Sequence, residues 1–421
     1  MSALRICMVT TFYPPYNFGG DGIAVQRLAR ALVRHGHEVT VVCSTDAFVT
    51  LGGEVGSSSA DGDDGVVVQR LATRTPALSA LLTQQTGRPV MTRRAIRRAL
   101  SRGRFDVIHY HNVSLVGGPA VLSDGGHDPI KLYTAHEHWL VCPTHVLWRH
   151  KREPCPARQC IRCQLAYRRP PQLWRYTGYL ERQLAHVDTF IACSEFSRAK
   201  HREMGFPREM VVLPPLLEDA PYDVPNTGSP HPRPYFLFVG RLERMKGLDD
   251  VLPMMREYPD ADLLVAGDGE HRAALERIAD GSERIRFLGR VAPTDLGRYY
   301  AHAVAVLVPS VGYETFGFVA VETLRQGTPI IARRRGPLTE IVESSGGGEL
   351  FTEPHELRDA MQRMQRDPAR RAAFGRAGRA AFVERWSERV AMPRYLALVE
   401  QAARHRGVHR VIDALAAGRA A

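Results

Sequence analysis

The sequence predicts an α/β fold: two facing doubly wound, Rossmann-like domains joined in series, with a C-terminal helix packing back across them. Three observations carry that expectation. The chain has 421 residues, more than one hydrophobic core ordinarily serves. A buried-type strand, a glycine-rich turn and an amphipathic helix open the chain, and the same pattern restarts at Tyr235. Between the two, residues 214–234 are rich in proline and lack periodicity, as an interdomain linker would. The expected limits are residues 1–213, the linker 214–234 and residues 235–390. The tail 391–421 closes an Ala- and Arg-rich helical stretch that starts at Pro368.

The elements follow in order. Residues 4–12 read as a strand stopped by Pro14 and Pro15, and an amphipathic helix carries Leu28, Leu32 and Val33 on one face to about His35. Gly36 ends it, and His37 to Cys43 form the next strand. The first turn, Asn17 to Gly22, lacks the G-x-G-x-x-G spacing, which counts against a nicotinamide or flavin enzyme. Residues 52–65 read as a flexible acidic surface loop. Further strands are expected at Phe105–His109, Ile130–Thr134 and Thr189–Cys193. In the second half they fall at Tyr235–Val239, Leu263–Ala266, Ile285–Leu288, Ala303–Val308 and Pro329–Ala332, with a helix over Leu248–Arg256.

Composition sets the class. Hydrophobic residues make up 44% and charged residues 24%, as in soluble globular proteins. No apolar run approaches the roughly 20 residues of a membrane span, and the N-terminus lacks the parts of a signal peptide. A cytoplasmic protein is therefore expected. The net charge of +11 favours anionic partners. Basic residues cluster over Arg88–Arg104 and Trp148–Arg175, the second interleaved with Trp148, Tyr167 and Trp174. Such a stretch suits an anionic membrane surface or an acidic acceptor, the plain alternative being a solvated face. Nucleic acid is not expected, since no binding motif accompanies the charge.

The stretch Pro309–Glu322 (PSVGYETFGFVAVE) carries the most chemistry. It ends a strand, turns through glycine and opens a helix, with Glu314 before the turn and Glu322 two turns into the helix. A helix N-terminus at the carboxyl end of a parallel strand suits phosphate. Carboxylates flanking it can accept hydrogen bonds from sugar and ribose hydroxyls, so the stretch fits a nucleotide sugar. Equally, the two glutamates could simply cap and charge a helix start.

Seven motifs in order extend that reading over nearly the whole chain: Gly19-Gly20, Asp106 to His111, Thr134 to Trp139, Ala192 to Ser197, Val239-Gly240-Arg241 to Lys246-Gly247, Gly267-Asp268-Gly269, and Glu314 with Glu322. In these residues the chain resembles the nucleotide-sugar-dependent, retaining glycosyltransferases of family four, which have the GT-B fold. The resemblance implies that Arg241 and Lys246, beside Gly240, stabilise the leaving diphosphate. It further implies that Glu322 holds the ribose, Glu314 a sugar hydroxyl, and backbone at Val291 the base. Amides near Phe316 and Gly317 would add to the anion site, and Gly19 and Gly20 would admit the diphosphate from the first domain. His136 matches a histidine beside the transferred sugar, with His109 and His111 as weaker candidates; a core histidine at a strand end is the alternative. No carboxylate nucleophile and no catalytic metal are implied. The Asp260-Ala261-Asp262 triplet precedes its strand, at the end opposite the ligand crevice, and is set aside.

Two departures from the family pattern stand out, Gly336-Pro337-Leu338-Thr339-Glu340 and Pro214-Pro215-Leu216. Four of the seven cysteines, Cys142, Cys155, Cys160 and Cys163, fall close together, with His145 and His150 nearby. In a cytosolic chain that spacing suits a structural zinc, the alternative being reduced thiols in an insertion. Cys7, Cys43 and Cys193 read as core residues. The function implied is transfer of a hexose-type sugar from UDP or GDP to a glycan, lipid-linked or other acceptor. An Ala- and Arg-rich composition suggests bacterial surface polysaccharide or glycolipid synthesis. A sugar-nucleotide epimerase, or a non-catalytic sugar-nucleotide-binding protein, are the alternatives on the same fold.

Overall fold

The computed structural model describes residues 3–54, 62–221 and 228–420. Parts of the acidic loop at 52–65 and of the linker at 214–234 lie outside the described residues. The chain divides into two compact units. The first comprises residues 1–145, 157–216 and 391–421, and the second residues 146–156 and 217–390.

The first unit holds strands β1 (Arg5–Val9), β2 (Glu38–Ser44), β3 (Gly62–Asp63), β4 (Val66–Leu71), β5 (Val107–Tyr110) and β6 (Ile130–Ala135). A small hairpin, β7 (Trp148–Arg149) with β8 (Glu153–Pro154), belongs to the second unit. Strands β9 (Thr189–Ala192) and β10 (Met210–Val212) complete the first sheet, ordered β10-β9-β6-β5-β1-β2-β4-β3. Every pairing in it is parallel except the β3–β4 hairpin. Strands β1, β5 and β6 are buried at nearly every position because helices cover both faces of such a sheet.

The second sheet is wholly parallel, ordered β13-β12-β11-β14-β15-β16. Its strands are β11 (Tyr235–Val239), β12 (Asp262–Ala266), β13 (Ile285–Gly289), β14 (Val306–Val308), β15 (Ile330–Arg333) and β16 (Gly348–Phe351). Most expected strands lie within two or three residues of their predicted places. Strands β3, β4, β7, β8, β10 and β16 were not expected; β3 falls within the segment 52–65 read as a loop, and β4 and β10 carry exposed or half-exposed positions that blur the apolar signal. The predicted helix over Leu248–Arg256 is a short 3-10 turn followed by a helix from Leu252, since Pro253 fits only a first turn.

Each doubly wound sheet reverses its strand order at one place, and ligands of such sheets sit beyond the strand C-termini there. In the first sheet the reversal falls between β1 and β5, in the second between β11 and β14. The helical tail is three helices, Pro368–Arg385, Glu388–Arg406 and His409–Ala420. Met392, Tyr395, Val399, Ala403 and Val411 from it share one core cluster with Leu4, Val25, Leu32 and Val107 of the first unit.

Candidate functional site

In the second unit, the loops after β11 and β14 meet at the reversal point. The loop after β11 runs through Gly240 and Arg241 into a 3-10 turn, Arg244–Lys246, and leaves it at Gly247 with φ 76°. The Met245 carbonyl accepts from the amides of Val311 and Gly312, both at 2.9 Å, which fastens this loop to the one after β14. The fastening sets Lys246 opposite Glu314: Nζ to Oε1 is 2.6 Å. Ser310 Oγ donates to the same oxygen at 2.8 Å. Arg241, half exposed, pairs with Glu243 at 2.7 Å.

Burial pushes the Glu314 carboxyl up, but the Lys246 ammonium, the hydrogen bonds from Lys246 and Ser310, and the Arg241 charge together outweigh it. The group therefore stays below its ordinary value and is ionised at neutral pH. Lys246 and Arg241 thus both act on Glu314, while Arg241 is also paired with Glu243.

The helix expected after Glu314 spans Phe318–Gln326. Its N-cap is Gly317, at φ 94°, a conformation that side-chain-bearing residues avoid. Phe316 is buried and meets Phe318 edge to face at 5.0 Å. Glu322 is the fifth residue of this helix, so it lies in the second turn rather than two turns in. The Tyr300 hydroxyl donates to its Oε2 at 3.4 Å. Val291 follows β13 and is half buried, two strands away from β11. Pro337 occupies the first turn of the helix Pro337–Ser345, where its missing N–H costs nothing. Asp262 of the discarded triplet is bonded to His231 at 2.6 Å and Arg233 at 3.1 Å, at the start of β12.

In the first unit, Gly19 is the N-cap and Gly20 the first residue of the helix Gly20–Arg34. Asn112 donates to Asp21 in the first turn of that helix at 3.1 Å. His111 Nδ1 and His136 Nε2 are 2.9 Å apart, and His136 Nδ1 lies 3.9 Å from Cys193 Sγ. His109 lies tilted against His111 with ring centroids 4.0 Å apart and bonds Thr134 at 2.8 Å and Tyr395 at 3.2 Å. Burial drives all three imidazoles to the neutral form, His109 down to about 3; at His136 the Asp21 carboxylate opposes the shift. Asp21, Asn112, Ser310 and Tyr300 had been given no role from sequence, since contacts made across a fold carry no local periodicity.

The structure does not support the zinc site that the cysteine spacing suggests. Among the described residues, no three His, Cys, Asp or Glu side chains come together as a metal would require. Zinc at Cys142, Cys155, Cys160 and Cys163 is therefore not supported. Cys142 Sγ is 3.3 Å from the Thr144 hydroxyl, and His145 is paired with Glu137 at 2.8 Å. Cys142 and Cys160 lie near enough to Arg175 to act on its guanidinium, and a fixed cation there opposes a metal ion. Burial pulls Arg175 down to about 10, still charged at neutral pH.

Two Rossmann-like units, each with glycine-led loops at its reversal point, make a GT-B fold. The model for glycosyl transferases group 1 matches residues 221–381, and that for glycosyltransferase family 4 matches residues 18–219. The chain belongs to the family 4 glycosyltransferases. It is 27% identical over 418 residues to a glycogen synthase of Mycobacterium tuberculosis, covering 89% of each chain. It is 25% identical to a phosphatidyl-myo-inositol mannosyltransferase of Mycolicibacterium smegmatis, covering 82% of this chain and 80% of the other. Sucrose-phosphate synthase of Thermosynechococcus elongatus shares the fold with a TM-score of 0.72 at 21% identity, over 95% of this chain and 99% of that one. Anabaena HepE, solved with UDP and glucose, does so at 0.65 and 17%, over 94% and 100%.

Proposed function

We propose that this glycosyltransferase moves a hexose-type sugar from UDP or GDP to a glycan, lipid-linked or other acceptor, with retention of anomeric configuration. One observation carries the reading: Lys246, Glu314 and Ser310 converge at the reversal point of the second sheet, with Arg241 alongside. Without donor, Glu314 serves as the counter-anion of Lys246. A bound diphosphate takes that place, so Lys246 and Arg241 neutralise the charge that grows on the leaving phosphate. Glu314, released from the ammonium, is then free to accept from a sugar hydroxyl. Glu322 is assigned to the ribose, backbone at Val291 to the base, and amides near Phe316 and Gly317 to the diphosphate. From the first unit, Gly19 and Gly20 would approach the diphosphate, and neutral His136 would accept or donate at the transferred sugar. Front-face attack by the acceptor fits a site whose carboxylate is committed to binding. The lipid-linked acceptor draws support from the mannosyltransferase relative.

Thermal shift against nucleoside diphosphates and their sugars tests the donor, because a ligand of the folded state alone raises its stability with affinity. Selective stabilisation by one base, lost in Glu322→Ala, is the expected result. Lys246→Ala should lower transfer by about 10²–10³-fold, the scale of losing one transition-state charge partner. Near-normal transfer in that variant would remove the leaving-group role. Donor interconversion without acceptor would instead identify an epimerase, and donor binding without turnover a binding protein.

A further inference from the structure

Two basic segments far apart along the chain, residues 74–104 and 157–180, meet in the first unit. Trp174 is buried, and its Nε1 donates to the Gln84 carbonyl at 2.9 Å. Gln85 Nε2 donates to the Pro170 carbonyl at 3.2 Å, and Arg88 lies over the Tyr179 ring at 5.1 Å. These contacts join the helix Pro76–Thr86 and the loop after it to the short turn Leu173–Tyr176. Thr75 Oγ1 lies 3.9 Å from Met91 Sδ, drawing the end of that loop back to the start of the helix.

On this face apolar side chains point into water. Leu173 is 66% exposed, Tyr176 59%, Val90 51% and Leu78 48%, with Leu81 and Met91 also exposed. Monomeric proteins rarely leave so many large apolar side chains in one neighbourhood without a partner. Within the two segments themselves the charge has one sign, the exposed Glu181 coming just after the second. Segment 74–104 holds eight arginines, segment 157–180 holds five, and neither contains an Asp or a Glu. Arg97 turns to Asp124 and Arg175 to the Trp139 and Trp174 rings. Arg88, Arg93, Arg94 and Arg98 are exposed, and among the described residues none has a carboxylate within ion-pair distance.

We propose that this face docks on a bilayer of anionic lipid. A glycan acceptor has no use for exposed leucines, and a protein partner would have to supply apolar surface and carboxylates at the same depth. The headgroup boundary of an anionic bilayer supplies both, with acyl chains for Leu78, Leu81, Val90, Met91, Leu173 and Tyr176, and phosphates just above them. The segments use arginine and no lysine, and the guanidinium fork matches phosphate oxygens in pairs. The proposal is independent of the donor assignment, since none of these residues lies in the second unit.

The test is co-sedimentation of the full-length protein with phosphatidylcholine vesicles, with and without phosphatidylglycerol. Binding to the mixed vesicles alone, weakened by added salt, is the expected result. Arg93→Gln with Arg94→Gln should weaken partitioning by roughly 30-fold, at the usual contribution of one basic residue near such a surface. Leu173→Ser with Tyr176→Ser should weaken it too, at unchanged charge. An unchanged melting transition in both double variants reports that the protein is folded. Equal binding to both vesicle types, or to neither, overturns the proposal. Self-association that disappears in Leu173→Ser would overturn it as well, by making the face a contact between copies.

Discussion

At the scale of single residues, Glu314 must be both ionised and correctly aimed, and different neighbours serve the two needs. Lys246 supplies the charge at 2.6 Å, while Ser310, four residues earlier, fixes the orientation of the same oxygen. A hydrogen bond to a charged group contributes about 1.5–3 kcal/mol. Ser310→Ala should therefore lower kcat by roughly tenfold or more. The affinity for free nucleoside diphosphate should stay nearly unchanged, because the serine touches the carboxylate and not the phosphate partners. Paired measurements of turnover and nucleotide affinity check this, and an equal loss in both would show a general collapse of the loop. The residue types here were legible in sequence, since two glutamates around a glycine turn signal anion chemistry. Ser310 was not, because only the return of the chain from the Gly240–Gly247 loop makes its hydroxyl matter.

Among elements, strands were the most legible and insertions the least. Strands buried on both faces, such as Tyr235–Val239, are continuous apolar runs and declare themselves. Val66–Leu71 alternates exposure and burial and begins beyond an acidic loop, so it passed as connection. The cysteine group misled for another reason: spacing along a chain does not report where the thiols point, and among the described residues no three ligand-type side chains come together. Loop placement depends on backbone that sequence reveals only through its glycines. Gly247 has φ 76°, and a Cβ there would collide with the Pro309 carbonyl oxygen, at the root of the Glu314 loop. Gly247→Ala should consequently destabilise the second unit by about 2–4 kcal/mol, combining left-handed strain with the clash. It should also separate Lys246 from Glu314. Calorimetry with and without nucleoside diphosphate would show a lowered transition and a lost ligand response; an unaltered transition would mean the loop yields freely.

For the molecule as a whole, chain order and structural order differ, because the last residues complete the unit that holds the first. No helix among the described residues is long and apolar enough to cross a membrane, and the tail spends its apolar side chains on the core instead. Tyr395 reaches past that core to His109, next to His111 and then His136. Among the described residues, Thr134, Cys193, Asn112 and the charged Asp21 face this string. Fold-depressed histidines bind fewer protons than the same residues unfolded once pH falls below their ordinary value of 6.5. Stability is then complete above pH 6.5 and lost progressively on acidification, at up to about 1.4 kcal/mol per pH unit for each such histidine. For His109 the loss continues down to about pH 3, where the folded protein would take up its proton. The first unit should thus unfold on mild acidification, in a pH range where exposed carboxylates remain ionised, and the tail should come away with it. His109→Gln keeps a polar partner for Tyr395 and removes one titrating group. In that variant the slope of melting free energy between pH 6.5 and pH 4 should fall by about one proton. A slope identical to that of the parent would place the acid sensitivity elsewhere and leave the string with a packing role alone.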